Sequence, residues 1–326
     1  MNQNSKKVLI TGVLGFIGGH TAKAFKKAGY TVIGIDRTFT IPQSALFVDE
    51  LFVDDFVDMA PYVADQQQIS TIIHIAGTSL VGPSITDPGV YYDNNVAKTN
   101  KMLDELSKRD WQGNIIFSSS AAVYGNNCPV PISEIAVGIP VSPYGNSKKI
   151  CEQIISDHSR AHGFRSIALR YFNACGCDPD QEIGNAWNDS HIIPKFIQTV
   201  IENKEIVING INFATEDGTC VRDYLHVSDI ADAHLRAAEL CDSLSPGEFR
   251  AYNLGSGKGY SNLEILNGIQ QAMKKNVHFT FGPQRAGDPD ILIADPLLFQ
   301  SDTQWSPAYD LNDMIETTVN WMTKTS

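Results

Sequence analysis

Six short runs rich in β-branched residues, at 7–11, 31–36, 51–54, 71–76, 114–118 and 166–170, punctuate the first half of the chain. Nearly continuous apolar runs of this length read as strands buried on both faces. Between them, at 16–28, 58–67, 91–108 and 144–162, apolar residues recur every three or four positions, the period of a helix with one buried face. Strands alternating with helices predict βαβ units with right-handed crossovers, and hence an α/β fold built on a doubly wound parallel sheet of Rossmann type. Beyond Phe172 the pattern changes. Residues 173–190 are rich in Gly, Asp, Pro and Asn, and the spacing then predicts a helix over 192–203, an extended 206–208, a strand and helix within 221–240, and helices over 262–274 and 311–322. The division is a sheet domain, 1–172, and a smaller C-terminal α/β lobe, 173–326, with 221–240 packing back onto the first.

Composition narrows the partners. The 326 residues are 43% hydrophobic and 19% charged, an ordinary globular balance. Lys and Arg number 25 against 37 Asp and Glu, a net charge of −12 that repels a phosphate backbone or an anionic leaflet. Nucleic acid and membrane surfaces are therefore not expected partners. The six cysteines are scattered, with no zinc-knuckle or CxxC spacing, and read as reduced, packed thiols. Lys6, Lys7 and the run to Gly19 lack the cleavage site of a secretory signal, and no stretch approaches the ~18 apolar residues of a membrane span. A cytoplasmic protein is expected. His158 and His162 share a helix face but lack a third ligand at a convincing spacing, so no metal is expected.

The chemistry begins where the first predicted strand ends. Gly12, Gly15 and Gly18 form a GxxGxxG turn into the first helix, a place that calls for a tight turn, backbone close to a pyrophosphate and a helix packed on its strand. The helix N-terminus offers free amides and a positive dipole end to phosphates. Asp36 closes the second strand, where a carboxylate accepts the ribose hydroxyls of an adenosine and repels a 2′-phosphate. NAD is favoured over NADP, with Arg37 as the residue that could favour NADP. A second constellation, 142–148, reads as a capped helix start: Ser142 at the N-cap, Pro143 first in the helix, and Tyr144 and Lys148 four apart on one face. An ammonium near a phenol makes tyrosine a usable acid or base near neutrality. The serine run 118–120 stands at the carboxyl end of a strand, where open α/β sheets bind ligands.

With these motifs in order, the chain resembles the extended short-chain dehydrogenase/reductase superfamily, and within it the UDP-glucose 4-epimerase family. The resemblance continues through Tyr91 to Val96, Leu169 to Asn173, Asp217 to Thr219, Val221 to Tyr224, Tyr252 to Gly255 and Arg285 to Pro289. It implies a homodimer that uses bound NAD to oxidise a UDP-sugar at C4, lets the 4-keto sugar turn over, and returns the hydride to the other face. On that pattern Tyr144 takes the C4 hydroxyl proton, Lys148 lowers its pKa and holds the nicotinamide ribose, and Ser120 bonds the reacting oxygen. The resemblance places NAD against Gly12, Gly15, Phe16, Ile17, Gly18, Asp36, Asp55, Ala76, Asn95, Tyr144, Lys148 and Tyr171. It places the substrate against Ser120, Tyr144, Asn173, His191, Arg222, Arg285, Asp288 and Leu292, the last bordering the hexose.

There are departures. Ser79 replaces a lysine usual in the family, His191 stands in an altered asparagine motif, Asn209 replaces an aromatic residue beside the base, and Cys175 and Cys177 fill an alanine-rich loop. Related 4,6-dehydratases carry an Asp-Glu pair, and decarboxylating relatives a glutamate, where this chain has Ala121 and Ala122. A non-catalytic NAD-binding protein would have no need of Tyr144 and Lys148. Which sugar is turned over stays open among hexose, N-acetylhexosamine, pentose and uronate.

Overall fold

The computed structural model describes residues 6–37, 43–65, 69–184, 191–285 and 288–324. The first crossover runs from β1 (Lys7–Thr11) through α1 (Phe16–Lys27) to β2 (Thr31–Asp36), followed by β3 (Glu50–Val53). A 3-10 turn (Phe56–Met59) and α2 (Ala60–Asp65) lead to β4 (Ile69–His74). Next come α3 (Val81–Thr86), α4 (Pro88–Tyr91), a π-helical turn (Tyr92–Ala97), α5 (Lys98–Ser107), β5 (Asn114–Ser120), α6 (Pro143–His162) and β6 (Arg165–Tyr171). The second half contributes β7 (Asn173–Cys175), α7 (Ile192–Ile201), β8 (Ile206–Asn209), β9 (Val221–His226), α8 (Val227–Cys241) and β10 (Phe249–Leu254). It ends with β11 (Gly259–Ser261), α9 (Asn262–Met273), β12 (Phe279–Gly282), β13 (Ile291–Leu292), α10 (Leu297–Thr303) and α11 (Leu311–Lys324).

The main sheet has the order β10-β6-β5-β4-β1-β2-β3, with every neighbour parallel. It is doubly wound, and the order reverses between β1 and β4, which opens a crevice at their carboxyl ends. Alternation along β1 explains its continuous apolar run. Val8 and Ile10 face Val13, Phe25, Ile230 and Ala233 on the side of α1 and α8, whereas Leu9 faces Ile33, Leu103, Leu106 and Ile155 on the side of α5 and α6. Each such burial contributes about 1.5–3 kcal/mol.

Sequence reading finds six strands of this sheet and misses the seventh. β10 pairs with β6 from Phe249↔Ser166 to Leu254↔Tyr171, but its arginine, tyrosine and asparagine break the apolar run. The single helix expected over 91–108 is α4, the π turn and α5, and the turn carries Asn95. That expected over 58–67 is a 3-10 turn followed by α2; positions 66 and 67 lie outside the described residues.

A second sheet centres on β9, flanked by β11 and β13 and paired through its far half with β7, while β8 pairs with β12. Its core gathers Ile193, Phe196 and Ile197 of α7, Ile265 and Ile269 of α9, and Met314 and Ile315 of α11. A buried polar network lies under the carboxyl ends of β5, β6 and β10. Arg170 grips Glu152 of α6 through two bonds of 2.9 and 2.7 Å, and donates at 2.8 Å to the Tyr124 hydroxyl, which donates at 2.7 Å to Asn253. Arg170 and Asn253 belong to the family-like segments, and here they act as scaffold. Among the described residues no two cysteines form a disulfide. Among the described residues no helix is long and apolar enough to cross a membrane.

Candidate active site

The glycine turn is dictated by contact. Gly12 has φ +70°, and a Cβ there would lie 2.9 Å from the Ala76 backbone at the end of β4. A Cβ on Gly18 would lie 2.0 Å from the Gly12 carbonyl oxygen, so neither position admits a side chain. Gly15 caps α1 with no side-chain bond to the first turn, which leaves the amides around Phe16 and Ile17 to an outside acceptor. Asp36 anchors the same turn by accepting the Leu14 amide at 3.0 Å. This cradle, closed to any Cβ and rimmed by helix amides, fits a dinucleotide.

Across the crevice, Asn95 staples the loop after β4. Its amide donates to Ser147 Oγ at 2.9 Å and to the Thr78 carbonyl at 3.0 Å, and its oxygen takes the Thr78 amide at 2.8 Å. Asp55 stands apart, ion-paired to Lys98 at 2.7 Å; burial raises its carboxyl, and the Lys98 bond overrides this and holds it below the usual range. Arg37 donates to Asn94 at 3.2 Å. Ser79 is exposed beside this loop.

The catalytic candidates meet where α6 begins. Ser142 accepts the Gly145 amide at 3.1 Å and Pro143 opens the helix, as the sequence predicts. Gly145 lets the helix abut the turn after β5, since a Cβ would lie 2.4 Å from the Ala122 carbonyl oxygen. Tyr144 thereby comes beside Ser120, and its ring lies 6.3 Å from that of Tyr91. One turn on, Lys148 donates to the Ser118 carbonyl at 2.8 Å, and a Cβ on Gly77 would lie 3.6 Å from its ammonium. The helix thus carries its lysine to the crevice wall behind Ala76.

The electrostatics add what spacing does not give. Burial raises the Tyr144 phenol above its ordinary value, and the Ser120 hydroxyl draws it partway back. Burial also lowers Lys148 to about 8, against smaller upward effects of Cys151 and Glu152. In the chain alone, desolvation outweighs the phenol-lowering effect expected of the lysine, whose ammonium turns to Ser118. Tyr171 is buried behind this corner, its hydroxyl bonded to Ser118 Oγ and to His234 Nε2 at 3.0 Å. His234 is not singled out by sequence spacing and Ser118 only as part of the serine run, because their roles here arise from packing between β5, β6 and α8.

The smaller lobe supplies the remaining candidates. Asn173 donates to the Asp223 carbonyl at 3.0 Å. Arg222 places its buried Nη2 3.3 Å from the Asp288 carboxylate, an ion pair without hydrogen-bond geometry that an incoming anion could compete for. Asn209, with its amide oxygen turned inward, accepts from Nε and Nη2 of Arg285 at 3.2 Å each, so the residue that replaces the aromatic orients an arginine. Leu292 pairs in register with Arg222 and packs against the cluster of Ala121, Tyr124 and Phe172, next to the turn that holds Ser120. His191 Nδ1 donates to the Ala174 carbonyl at 3.2 Å, and its ring lies 6.4 Å from that of Phe16, linking this lobe to the glycine turn. Cys175 and Cys177 are buried packing residues, as expected. His226 is also structural: its Nδ1 accepts the Ser228 amide at 3.0 Å and caps α8. His158 and His162 tilt against one another at 5.5 Å, and His158 bonds Ser107 and Asn100.

A doubly wound sheet, a glycine cradle at its switch point and a Ser-Tyr-Lys corner define a dehydrogenase-like protein of the short-chain type. The model of the NAD dependent epimerase/dehydratase family matches residues 8–255. The UDP-glucose 4-epimerase of Halalkalibacterium halodurans is 37% identical over 320 residues, 96% of this chain and 95% of that one. Among solved structures, the Brucella ovis UDP-glucose 4-epimerase in complex with NAD superposes with a TM-score of 0.90 at 37% identity, covering 97% of this chain and 98% of that one. The Bifidobacterium longum enzyme in complex with NAD+ and UDP gives 0.88 at 32%, covering 98% of both. The chain belongs to the UDP-glucose 4-epimerase family, whose cofactor is NAD.

Proposed function

We propose that the protein is an NAD-dependent isomerase that inverts C4 of a UDP-sugar, interconverting UDP-glucose and UDP-galactose through a transient 4-keto sugar. The observation that carries this reading is the placement of Tyr144 and Ser120 beside Lys148 on the wall of a dinucleotide cradle, in a chain 37% identical to named epimerases. NAD held by the Gly12–Gly18 turn would supply the hydride acceptor for C4 and the donor for its return. Tyr144 takes the C4 hydroxyl proton and returns it, Ser120 holds the reacting oxygen, and Lys148 binds the nicotinamide ribose while its positive charge favours the phenolate. Burial of Tyr144 keeps water from that proton, and the buried guanidinium of Arg222, held only by a loose ion pair to Asp288, supports diphosphate binding together with Arg285, Asn173 and His191. Asp288 takes a ribose hydroxyl and Leu292 borders the hexose, admitting N-acetylhexosamines weakly.

On this reading 1–172 carries NAD and 173–326 mainly the sugar nucleotide, with 221–240 packed back on the first part. Six cysteines outside any disulfide support a cytoplasmic setting, and exposed Val90, Tyr92 and Ile150 on neighbouring helical segments support a homodimer. The test is NMR and mass spectrometry of the purified protein with a panel of UDP-sugars. Conversion of UDP-glucose to UDP-galactose is expected, and no C4 inversion of any member would refute the reading.

A further inference from the structure

We propose that Asp223 is a positioning residue for the sugar-nucleotide cleft, its buried carboxylate joining the backbone segments that carry the substrate contacts into one frame. The proposal rests on the functional reading above. β9 alternates, so Asp223 faces away from its neighbour Arg222. Its side chain is wholly buried, and four donors converge on it. Oδ1 accepts from the Ser256 amide at 2.8 Å and the Ser256 hydroxyl at 2.7 Å. Oδ2 accepts from the Gly257 amide at 3.0 Å and the Ala294 amide at 3.1 Å.

Those donors lie in the loop after β10 and two residues beyond Leu292. The Asp223 main-chain carbonyl meanwhile takes the Asn173 side chain. One residue therefore ties down β7 with Asn173, β9 with Arg222, and β13 with Leu292. Gly255 follows from the same knot, because a Cβ there would lie 2.5 Å from Oδ2. Burial pushes the carboxyl upward in pKa while these hydrogen bonds pull it back. Among the described residues no lysine or arginine bonds this carboxylate, so its charge is held by oriented N–H and O–H groups alone. A carboxylate has room for about four donors, and this one is saturated. Asparagine is the same size but would turn an NH2 toward at least one of those N–H groups and leave it unsatisfied. Freed from Ala294, β13 would shift against β9, and Arg222, paired in register with Leu292, would lose its aim.

The test compares wild type, Asp223→Asn and Ser256→Ala, each purified with its NAD. NAD content, thermal midpoint, the dissociation constant for UDP by calorimetry, and kcat and KM for UDP-glucose are measured. Asp223→Asn should raise KM and the UDP dissociation constant at least about tenfold, with kcat and NAD content within about threefold, because binding is lost while the reaction corner stands. Ser256→Ala, which deletes one hydroxyl from a half-exposed loop, should raise both binding constants about two- to fourfold. If Asp223→Asn does not fold, Ser256→Ala decides. A lowered thermal midpoint with unchanged KM and UDP binding means a merely structural role and overturns the proposal, as does a fall in kcat or NAD content at unchanged KM. A wild type that binds no UDP overturns the functional reading and this assignment with it; a wild type that binds UDP beside unaltered variants overturns this assignment alone.

Discussion

Four histidines, His20, His74, His226 and His234, are packed inside the fold, and burial brings them down from 6.5 to about 4, 3, 3 and 4 respectively. Each is placed to be neutral. His226 accepts the Ser228 amide, His234 presents Nδ1 to the Ile230 carbonyl and Nε2 to Tyr171, and His74 lies between the hydroxyls of Thr11 and Thr99. His20 turns one nitrogen to the Phe16 carbonyl, and its Nε2 has no partner. The unfolded chain takes up protons near 6.5 and the folded chain does not, so the stability these residues allow is complete above 6.5 and lost as pH falls toward 4. Lowering the pH from about 7 to about 5.5 lets each unfolded histidine gain about 1.2 kcal/mol, about 5 kcal/mol for the four. Asp229, raised to about 6 by burial, works the other way, because its folded form takes up the proton. It restores about 0.8 kcal/mol over the same interval, leaving a net loss of about 4 kcal/mol. Urea titrations followed by far-UV circular dichroism at the two pH values measure this directly. His226→Asn should remove about one quarter of the histidine contribution. A loss below about 1 kcal/mol would show that the histidines titrate normally in the folded state and refute the reasoning.

Tyr144→Phe should keep NAD and UDP-sugar binding while C4 inversion falls at least about a hundredfold, and near-normal turnover would remove Tyr144 from the mechanism. Glu152→Ala leaves the Arg170 guanidinium inside the network without its carboxylate, a loss of about 3–5 kcal/mol. Calorimetry should show a thermal midpoint lower by about 4–7 °C, and a shift under about 2 °C would mean the pair carries little. Leu292→Tyr should lower the ratio of kcat/KM for UDP-N-acetylglucosamine to that for UDP-glucose, since overpacking is felt most by the substrate that fills the space; an unchanged ratio would make Leu292 core lining only.

The parts legible in the sequence are those set by local rules. The glycine turn, the α6 cap and the helical face shared by Tyr144 and Lys148 follow from spacing, and the structure keeps each. β10 escapes because its polar residues have uses at their own ends: Tyr252 donates to Asp302, and Asn253 joins the network with Tyr124. The π turn escapes because an extra residue per turn leaves little mark on a helical pattern, though it aims Asn95 at Thr78 and Ser147. Asp223 shows the limit most clearly. Its motif is conspicuous for the arginine beside it, but its four donors come from segments more than thirty residues away, and only the fold brings them together.

The central claim is that one hydride leaves C4 and returns to the same carbon. It is tested by incubating the purified protein with UDP-glucose deuterated at C4 and reading the UDP-galactose formed by NMR and mass spectrometry. The account predicts that more than about nine-tenths of the deuterium stays on C4, because the hydride is held at the nicotinamide and never meets solvent. Deuterium washed out into water, or inversion by protein stripped of NAD, would contradict it.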